Sequence, residues 1–183
     1  MTHAFPVRCI CWTWNLSTKS VGPEAGSEWH LVGLGTRLSS DDEIGLALVQ
    51  AFSQETEFPE HCMLLESADA ALVASSLLEW QHPVIFVDAA DMGLDPGEYR
   101  FFSDKDASVS VKNDSVSTHG LGLAEGLELA RALGFDQPAA IFGIQPFDLS
   151  PRQGLTPEMQ NRFPSLLKAL KDAVMQCQRR KQR

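Results

Sequence analysis

The sequence lacks the features that mark several other classes of protein. None of its apolar runs approaches the roughly 20 residues that a membrane-spanning helix requires. Its first residues lack the apolar core and small-residue cleavage site of an export signal. Its four cysteines are too few and too irregularly spaced for a disulfide framework. These absences predict a protein of a reducing, cytoplasmic setting that makes no use of a membrane.

Positive charge is also scarce. The chain has 15 lysines and arginines against 24 aspartates and glutamates, which gives a formal net charge of -9. A protein that binds the phosphate backbone of a nucleic acid needs a basic face, so this balance argues against that partner class. The basic residues 179–183 form the one concentrated cationic run, and we interpret it as a solvated tail at the end of a helix.

The composition of the remainder is that of an ordinary globular domain. Apolar residues make up 44% and charged residues 21% of the 183 residues, enough for one hydrophobic core. Residues 1–28 differ, because glycine, proline and serine punctuate them and no periodicity holds, so we predict a poorly ordered extension or linker there. Cys9 and Cys11 could bind a soft metal, but no second pair lies nearby. The expected organisation is this extension, a single α/β domain over 29–178 and the basic tail.

From residue 29 onward, apolar runs of strand length alternate with segments of helical periodicity. The predicted strands are 29–33, 61–65, 83–87, 97–102 and 139–144, and the predicted helices are 42–52, 69–80, 118–133 and 157–178. Residues 104–116 are polar without pattern, which indicates a loop. Strands joined by helices through short links form a mostly parallel sheet. We therefore predict a three-layer α/β sandwich, with a twisted sheet of about five strands between helices.

Acidic residues follow two of the predicted strands. Asp41 and Asp42 end the loop after the first strand, and Asp88 comes directly after the apolar run 83–87. In a parallel sheet the working groups collect at the carboxyl ends of the strands, which favours a functional role. The alternative is structural, because Ser40 and Glu43 have the spacing of a capping box and acids are common in the first turn of a helix.

A histidine is the third candidate. His119 lies in the predicted first turn of a helix that Ser117 or Thr118 can cap. The positive end of the helix dipole disfavours a protonated imidazole, so the ring is expected to stay neutral and able to bind a metal. Asp42, Asp88 and His119 together offer oxygen and nitrogen ligands that suit a divalent metal such as nickel or zinc, with a position open for water or substrate.

Two other kinds of hydrolytic site are less attractive. A Ser-His-Asp triad would use Ser117 or Thr118 with His119, but neither hydroxyl lies in the Gly-x-Ser-x-Gly context of a nucleophile elbow. A cysteine nucleophile would have to be Cys62, which lies within an apolar strand, and such a thiol is usually inert.

The order and spacing of these segments resemble the hydrogenase maturation endopeptidase family. Three stretches carry the resemblance: Gly33-Leu34-Gly35-Thr36-Arg37-Leu38-Ser39-Ser40-Asp41-Asp42-Glu43-Ile44-Gly45, Ser117 to Ala124 around the histidine, and Gly143-Ile144-Gln145-Pro146 with Gly154-Leu155-Thr156-Pro157-Glu158. The similarity covers about residues 29 to 175.

This resemblance implies a definite activity. Such enzymes remove a C-terminal extension from the large-subunit precursor of [NiFe] hydrogenase after nickel has been inserted. By the resemblance, Asp42, Asp88 and His119 would bind the nickel that the substrate carries, although zinc or another divalent metal is possible. The catalytic base is left open among Asp41, Glu66 and Asp69.

The sequence departs from the family pattern in two places. Thr36 replaces the usual asparagine of the first loop, and Glu66-Ser67-Ala68-Asp69 replaces an Asp-Gly-Gly-Thr-like motif after the second strand. The lost glycines would permit backbone angles that other residues avoid. The altered loop keeps open a non-cleaving binding protein or chaperone for the hydrogenase large subunit. A second alternative, a generic metal-dependent peptidase on the same scaffold, would act on small peptides with its own bound zinc.

Overall fold

A computed structural model describes residues 29–55, 61–66, 69–104 and 120–180. The elements are β1 (His30–Gly35), a 3-10 turn (Ser40–Glu43), α1 (Ile44–Glu55), β2 (Cys62–Glu66), α2 (Ala70–Trp80), β3 (Val84–Ala89), β4 (Tyr99–Ser103), α3 (Gly120–Ala132), β5 (Ala139–Ile144) and α4 (Pro157–Arg180). Every strand and helix expected from the sequence pattern is present. The loop predicted at 104–116 and the N-terminal extension fall almost entirely outside the described residues.

The strands form one sheet in the order β2-β1-β3-β5-β4. All neighbouring strands are parallel except β4 and β5, which are antiparallel. β4 is an edge strand of the sheet. The link from β3 to β4 is only a short loop, so β4 has no helical crossover and must return in the opposite direction. The mostly parallel α/β sandwich predicted from the sequence is thus confirmed.

Helices cover both faces of the sheet because its central strands are apolar on both faces. In β3, Ile85 and Val87 belong to one core, with α1 and α4, while Val84 and Phe86 belong to the other, with α2 and α3. All six residues of β3 are buried. The two cores pack the strands between helices on both sides, so the strand ends have fixed positions in the sheet.

The ends of the helices follow local sequence signals. Asp69 caps α2, since its Oδ1 accepts a hydrogen bond from the Leu72 amide at 2.8 Å. Gly134 follows α3 with a φ of +105°, a left-handed conformation that suits glycine after a helix. The end of α4 was predicted two residues too early, because the helix continues into the basic run as far as Arg180. In the part of the chain that the structure describes, no helix is long and apolar enough to cross a membrane.

Candidate active site at the carboxyl edge of the sheet

The spacing of three glycines lets the chain fold back onto the strand ends. A Cβ atom on Gly45 would lie 2.2 Å from the Val87 carbonyl oxygen and 2.4 Å from that of Leu34. One on Gly35, whose φ is +142°, would lie 2.0 Å from the Asp42 carbonyl oxygen, and one on Gly33 would meet the Gly45 carbonyl. The backbone of the turn and of α1 therefore rests directly on β1 and β3, at a distance that only glycine allows.

Asp42 is held in this close contact by the turn that precedes α1. Its side chain belongs to a residue only 1% exposed, and its Oδ2 accepts a hydrogen bond from the Thr36 amide at 2.8 Å. Since the donor is the backbone amide, the threonine that replaces the family's asparagine still supplies this contact.

The capping box, which was the structural alternative for these acids, does not form. Ser39, not Ser40, is the N-cap of the 3-10 turn, and no side chain caps it. Ser40 has a φ of +48°, and its buried Oγ has no hydrogen-bond partner. Glu43 instead pairs with Arg37 at 3.0 Å. The turn instead lies against the end of β1, where the absence of a Cβ on Gly35 leaves room for the Asp42 carbonyl.

Asp88 reaches the same edge from β3. It was predicted to follow the strand, but it lies inside it, paired with Gly143 of β5, and the residue is 1% exposed. The strand is longer than the apolar run because the ladder with β5 continues through residue 89. Since Gly45 touches the carbonyl of Val87, the first turn of α1 lies beside the peptide that leads into Asp88. Two nearly buried aspartates thus lie at the same end of the sheet.

The third predicted ligand, His119, lies outside the described residues, as do Ser117 and Thr118. The described chain resumes at Gly120, the first residue of α3. The other end of α3 leads into the start of β5, where the Pro138 carbonyl accepts from the Val84 amide at the beginning of β3. Gly120 therefore starts α3 at the carboxyl edge. Within the described ranges, no three histidine, cysteine, aspartate or glutamate residues form a group able to hold a metal ion.

The remaining acidic candidates have distinct surroundings. Glu66 pairs in register with Gly35, and its carboxylate lies 3.5 Å from Nε of Arg37 in the neighbouring loop. Asp69 is the cap of α2. Asp41 is completely buried, and its carboxylate accepts hydrogen bonds from the segment that connects β5 to α4. Cys62, the possible cysteine nucleophile, begins β2 and so lies at the opposite edge.

Gln145 is a residue at this edge that sequence reasoning did not single out as functional. Its Oε1 accepts from the amides of Met92 at 2.8 Å and Leu94 at 3.3 Å, and its Nε2 donates to Asp91. The side chain therefore fixes the loop that follows Asp88. Its position just after β5, in the Gly143-Ile144-Gln145-Pro146 segment, was the available signal.

The amino edge carries a second polar group that the sequence patterns did not reveal. The ring of His30 stacks between those of His61 and His82, with centroid distances of 5.3 Å and 4.7 Å. Burial, together with the two neighbouring imidazoles, lowers the pKa of His30 to about 4. These histidines lie at the starts of three adjacent strands, so their contact follows from the strand order β2-β1-β3 and not from their spacing in the sequence.

Known proteins resemble the chain in both sequence and structure. The HycI hydrogenase maturation protease family model matches residues 46–173, more than half of the chain. HupD, a hydrogenase expression/formation protein of Rhizobium leguminosarum bv. viciae, is 26% identical over 149 residues, which cover 80% of this chain and 74% of the relative. The hydrogenase 2 maturation protease of Escherichia coli (strain K12) is 27% identical over 132 residues, covering 71% of this chain and 80% of the relative.

Two solved structures share the architecture. The hydrogenase maturating endopeptidase HybD from E. coli has a TM-score of 0.67 and 26% identity, and the match covers 81% of this chain and 93% of that one. The [NiFe] hydrogenase maturation protease HybD from Thermococcus kodakarensis has a TM-score of 0.66 at 20% identity, covers 80% of this chain and 99% of that one, and supports the fold alone. Because the family model matches residues 46–173, more than half of the chain, the chain belongs to the hydrogenase maturation proteases, a family of peptide-bond hydrolases.

Proposed function

We propose that this protein removes the C-terminal extension from the large-subunit precursor of a [NiFe] hydrogenase once nickel is in place. Membership of the hydrogenase maturation protease family supports the reaction class. The observation that carries the nickel requirement is the placement of Asp42 and Asp88 at the carboxyl edge, on residues only 1% exposed. Asp42 lies in the turn that follows β1, and Asp88 lies in the neighbouring strand β3. Burying ionised carboxylates together is costly, and a divalent cation offsets that cost.

In this proposal nickel arrives with the precursor and is part of the substrate. Asp42 and Asp88 supply oxygen ligands, and the Thr36 amide holds one Asp42 oxygen in place. We propose His119 as the nitrogen ligand, since it immediately precedes α3, which starts at the same edge. A precursor without nickel would lack its anchor, so cleavage would wait for metal loading.

The protease itself supplies position and proton transfer. Binding the nickel centre brings the scissile peptide close to the protein, which lowers the entropic cost of the reaction. For the general base we favour Glu66, because its contacts with Arg37 attach it to the loop that holds Asp42, whereas Asp69 is occupied as a helix cap. A carboxylate with one face in solvent can accept a proton from water and exchange it afterwards.

Cleavage of nickel-loaded and nickel-free precursor by the purified protein tests the proposal. Mass spectrometry of the precursor's C-terminus should show a shortened product with nickel and an intact chain without it. Asp42→Asn and Asp88→Asn should each lower the rate about 100-fold or more. Asp136→Asn, which removes an exposed carboxylate at the amino edge, should leave it unchanged.

Three other results would overturn parts of this function. Equal cleavage of both precursors would refute the nickel requirement. Cleavage of unrelated peptides by a protein that retains stoichiometric zinc would identify a generic metal-dependent peptidase. Tight binding of the nickel-loaded precursor with no cleavage would identify a binding protein or chaperone.

A further inference from the structure

Asp41, the neighbour of a proposed nickel ligand, is engaged on both carboxylate oxygens. Its Oδ2 accepts from the amides of Phe147 at 3.0 Å and Asp148 at 3.2 Å and from the hydroxyl of Thr156 at 3.0 Å. Its Oδ1 accepts from the Thr156 amide at 2.8 Å. All four donors belong to the segment between β5 and α4, more than 100 positions along the chain. The carboxylate therefore joins two segments that are remote in sequence.

The backbone strengthens the same junction. The Asp41 amide donates to the Asp148 carbonyl, and the Ser40 amide donates to the Arg152 carbonyl at 2.8 Å. The Arg152 amide in turn donates to the Leu38 carbonyl at 3.1 Å. The loop before Asp42 is thus paired, from Leu38 to Asp41, with the segment that precedes α4.

The junction also reaches the start of the longest described helix. Thr156 immediately precedes α4, and its Oγ1 accepts from the Met159 amide at 3.1 Å as an N-cap does. The charge of Asp41 therefore lies at the positive end of a 24-residue helix, where a carboxylate is stabilised. Charge-assisted hydrogen bonds to a buried carboxylate are among the stronger ones in proteins.

The turn that carries Asp42 is costly to maintain without such a junction. Ser40 has a φ of +48°, which is unfavourable for any residue with a Cβ, and its buried Oγ has no partner. Strained backbone of this kind persists only where surrounding contacts determine it. The hydrogen bonds of Asp41, the next residue, hold the Ser40 backbone in this conformation.

We propose that Asp41 is a positioning residue, whose carboxylate fixes the 3-10 turn against the segment before α4 and thereby holds the Asp42 carboxylate where it can bind nickel. This role rests on the proposed function for its effect on cleavage. It also has a consequence independent of cleavage, because the Thr36 amide bonds to Asp42 Oδ2 and reports the position of that carboxylate.

Asp41→Asn tests the proposal with little change of shape. The amide group can present only one oxygen, and its NH₂ would face donors that need an acceptor. At a temperature where the variant is fully folded, kcat for nickel-loaded precursor should fall about 100-fold and KM should rise, because the misplaced ligand weakens the nickel anchor and the placement of the scissile peptide. Thr156→Ser keeps the hydroxyl and should retain wild-type kcat, while Thr156→Val should lose part of it.

Leu77→Ala provides the matched control. Leu77 belongs to α2 and is buried in the opposite core, so its truncation destabilises the fold without touching the junction. Its kcat should equal that of the wild type when both are folded. A folded Asp41→Asn protein with wild-type kcat, or an equal loss in Leu77→Ala, would overturn the positioning role.

Amide hydrogen exchange decides the inference even if the wild-type protein cleaves nothing. In Asp41→Asn, protection of the Thr36 amide should fall about tenfold, because its acceptor is no longer held. Leu77→Ala should leave that protection unchanged. Unchanged Thr36 protection in Asp41→Asn refutes the proposed junction, whereas absent cleavage with lost protection refutes only the proposed function.

Discussion

The carboxyl edge of the sheet holds carboxylates that the fold has buried almost completely. The amino edge instead holds three stacked imidazoles and, around the end of β4 and the start of β5, an open cavity of about 890 Å³. At the carboxyl edge, glycines bring backbone onto backbone, and at least two of the polar groups there, Asp41 and Asp42, are positioned by backbone amides. At the amino edge, side chains contact one another. An edge fixed through the backbone suits chemistry, because its geometry does not depend on rotamers. Three comparisons test this difference between the two edges.

The largest effect is expected from Gly45→Ala. The added Cβ would lie 2.2 Å from the Val87 carbonyl oxygen, so α1 must move off the strand ends. We expect a loss of about 3 kcal/mol or more in the free energy of unfolding, with loss of cleavage, because overpacked sites cannot relax locally. Urea denaturation measures the first and the precursor assay the second.

Gly93→Ala is the control for that variant. Gly93 has a φ of +64° but nothing within 4 Å of an added Cβ, so only backbone strain of about 1 kcal/mol is expected. Similar losses in both variants would contradict the idea that close backbone contact distinguishes Gly45.

Acid should lower the free energy of unfolding through His30 at the amino edge. The pKa of His30 is about 4 in the folded protein, lowered by burial and by His82 and His61, against an ordinary value of 6.5. Between these pH values His30 is protonated in the unfolded chain but neutral in the folded protein. The contribution of His30 to the free energy of unfolding is therefore fully present above pH 6.5 and is lost as the pH falls towards 4. Because the ring is only partly buried, we expect a loss of about 1–2 kcal/mol.

His30→Phe isolates this contribution. Phenylalanine keeps a flat ring between His61 and His82 but does not titrate, so part of the loss between pH 6.5 and 4 should disappear. Urea denaturation at a series of pH values measures it. An identical pH dependence in the variant would assign the acid sensitivity to other groups.

The smallest effect is expected on KM, when two exposed leucines, one at each edge of the sheet, are replaced by alanine. Leu38, 62% exposed, lies in the loop before Asp42, and Leu133, 61% exposed, follows α3 at the amino edge. If precursor binds at the carboxyl edge, Leu38→Ala should raise KM about tenfold with little change in kcat, through lost apolar contact. Leu133→Ala should change neither, and equal KM values for the two variants would place the docking surface elsewhere.

Much of the fold could be read from the sequence because its signals are local. Alternating apolar strands and helices predicted the parallel sheet, and the run 139–144 was located without error. Predictions failed where contacts with distant residues determine the local structure. Pairing with β5 extends β3 past the apolar run to include Asp88. A 3-10 turn bonded to the segment before α4 stands where local spacing suggested a capped helix.

The candidate site divides in the same way. The glycine spacing and the acids after strands directed attention to Asp42 and Asp88, and the structure places both at the carboxyl edge. No local signal in the sequence indicated that the adjacent residues Asp41 and Asp42 would have different hydrogen-bond donors. Asp41 faces residues more than 100 positions away, while Asp42 receives the amide of Thr36, and spacing alone gives both the same character.

By itself, therefore, the sequence determined the class of fold, the edge of the sheet that holds the carboxylates and the family resemblance, because periodicity and short motifs depend on neighbouring residues. Only the tertiary structure decided that Asp41 joins the turn to the start of α4, that Gly45 is confined between two carbonyl oxygens, and that three histidines stack at the other edge. Each of these depends on which strands lie side by side, and that order is set by the packing of the whole chain.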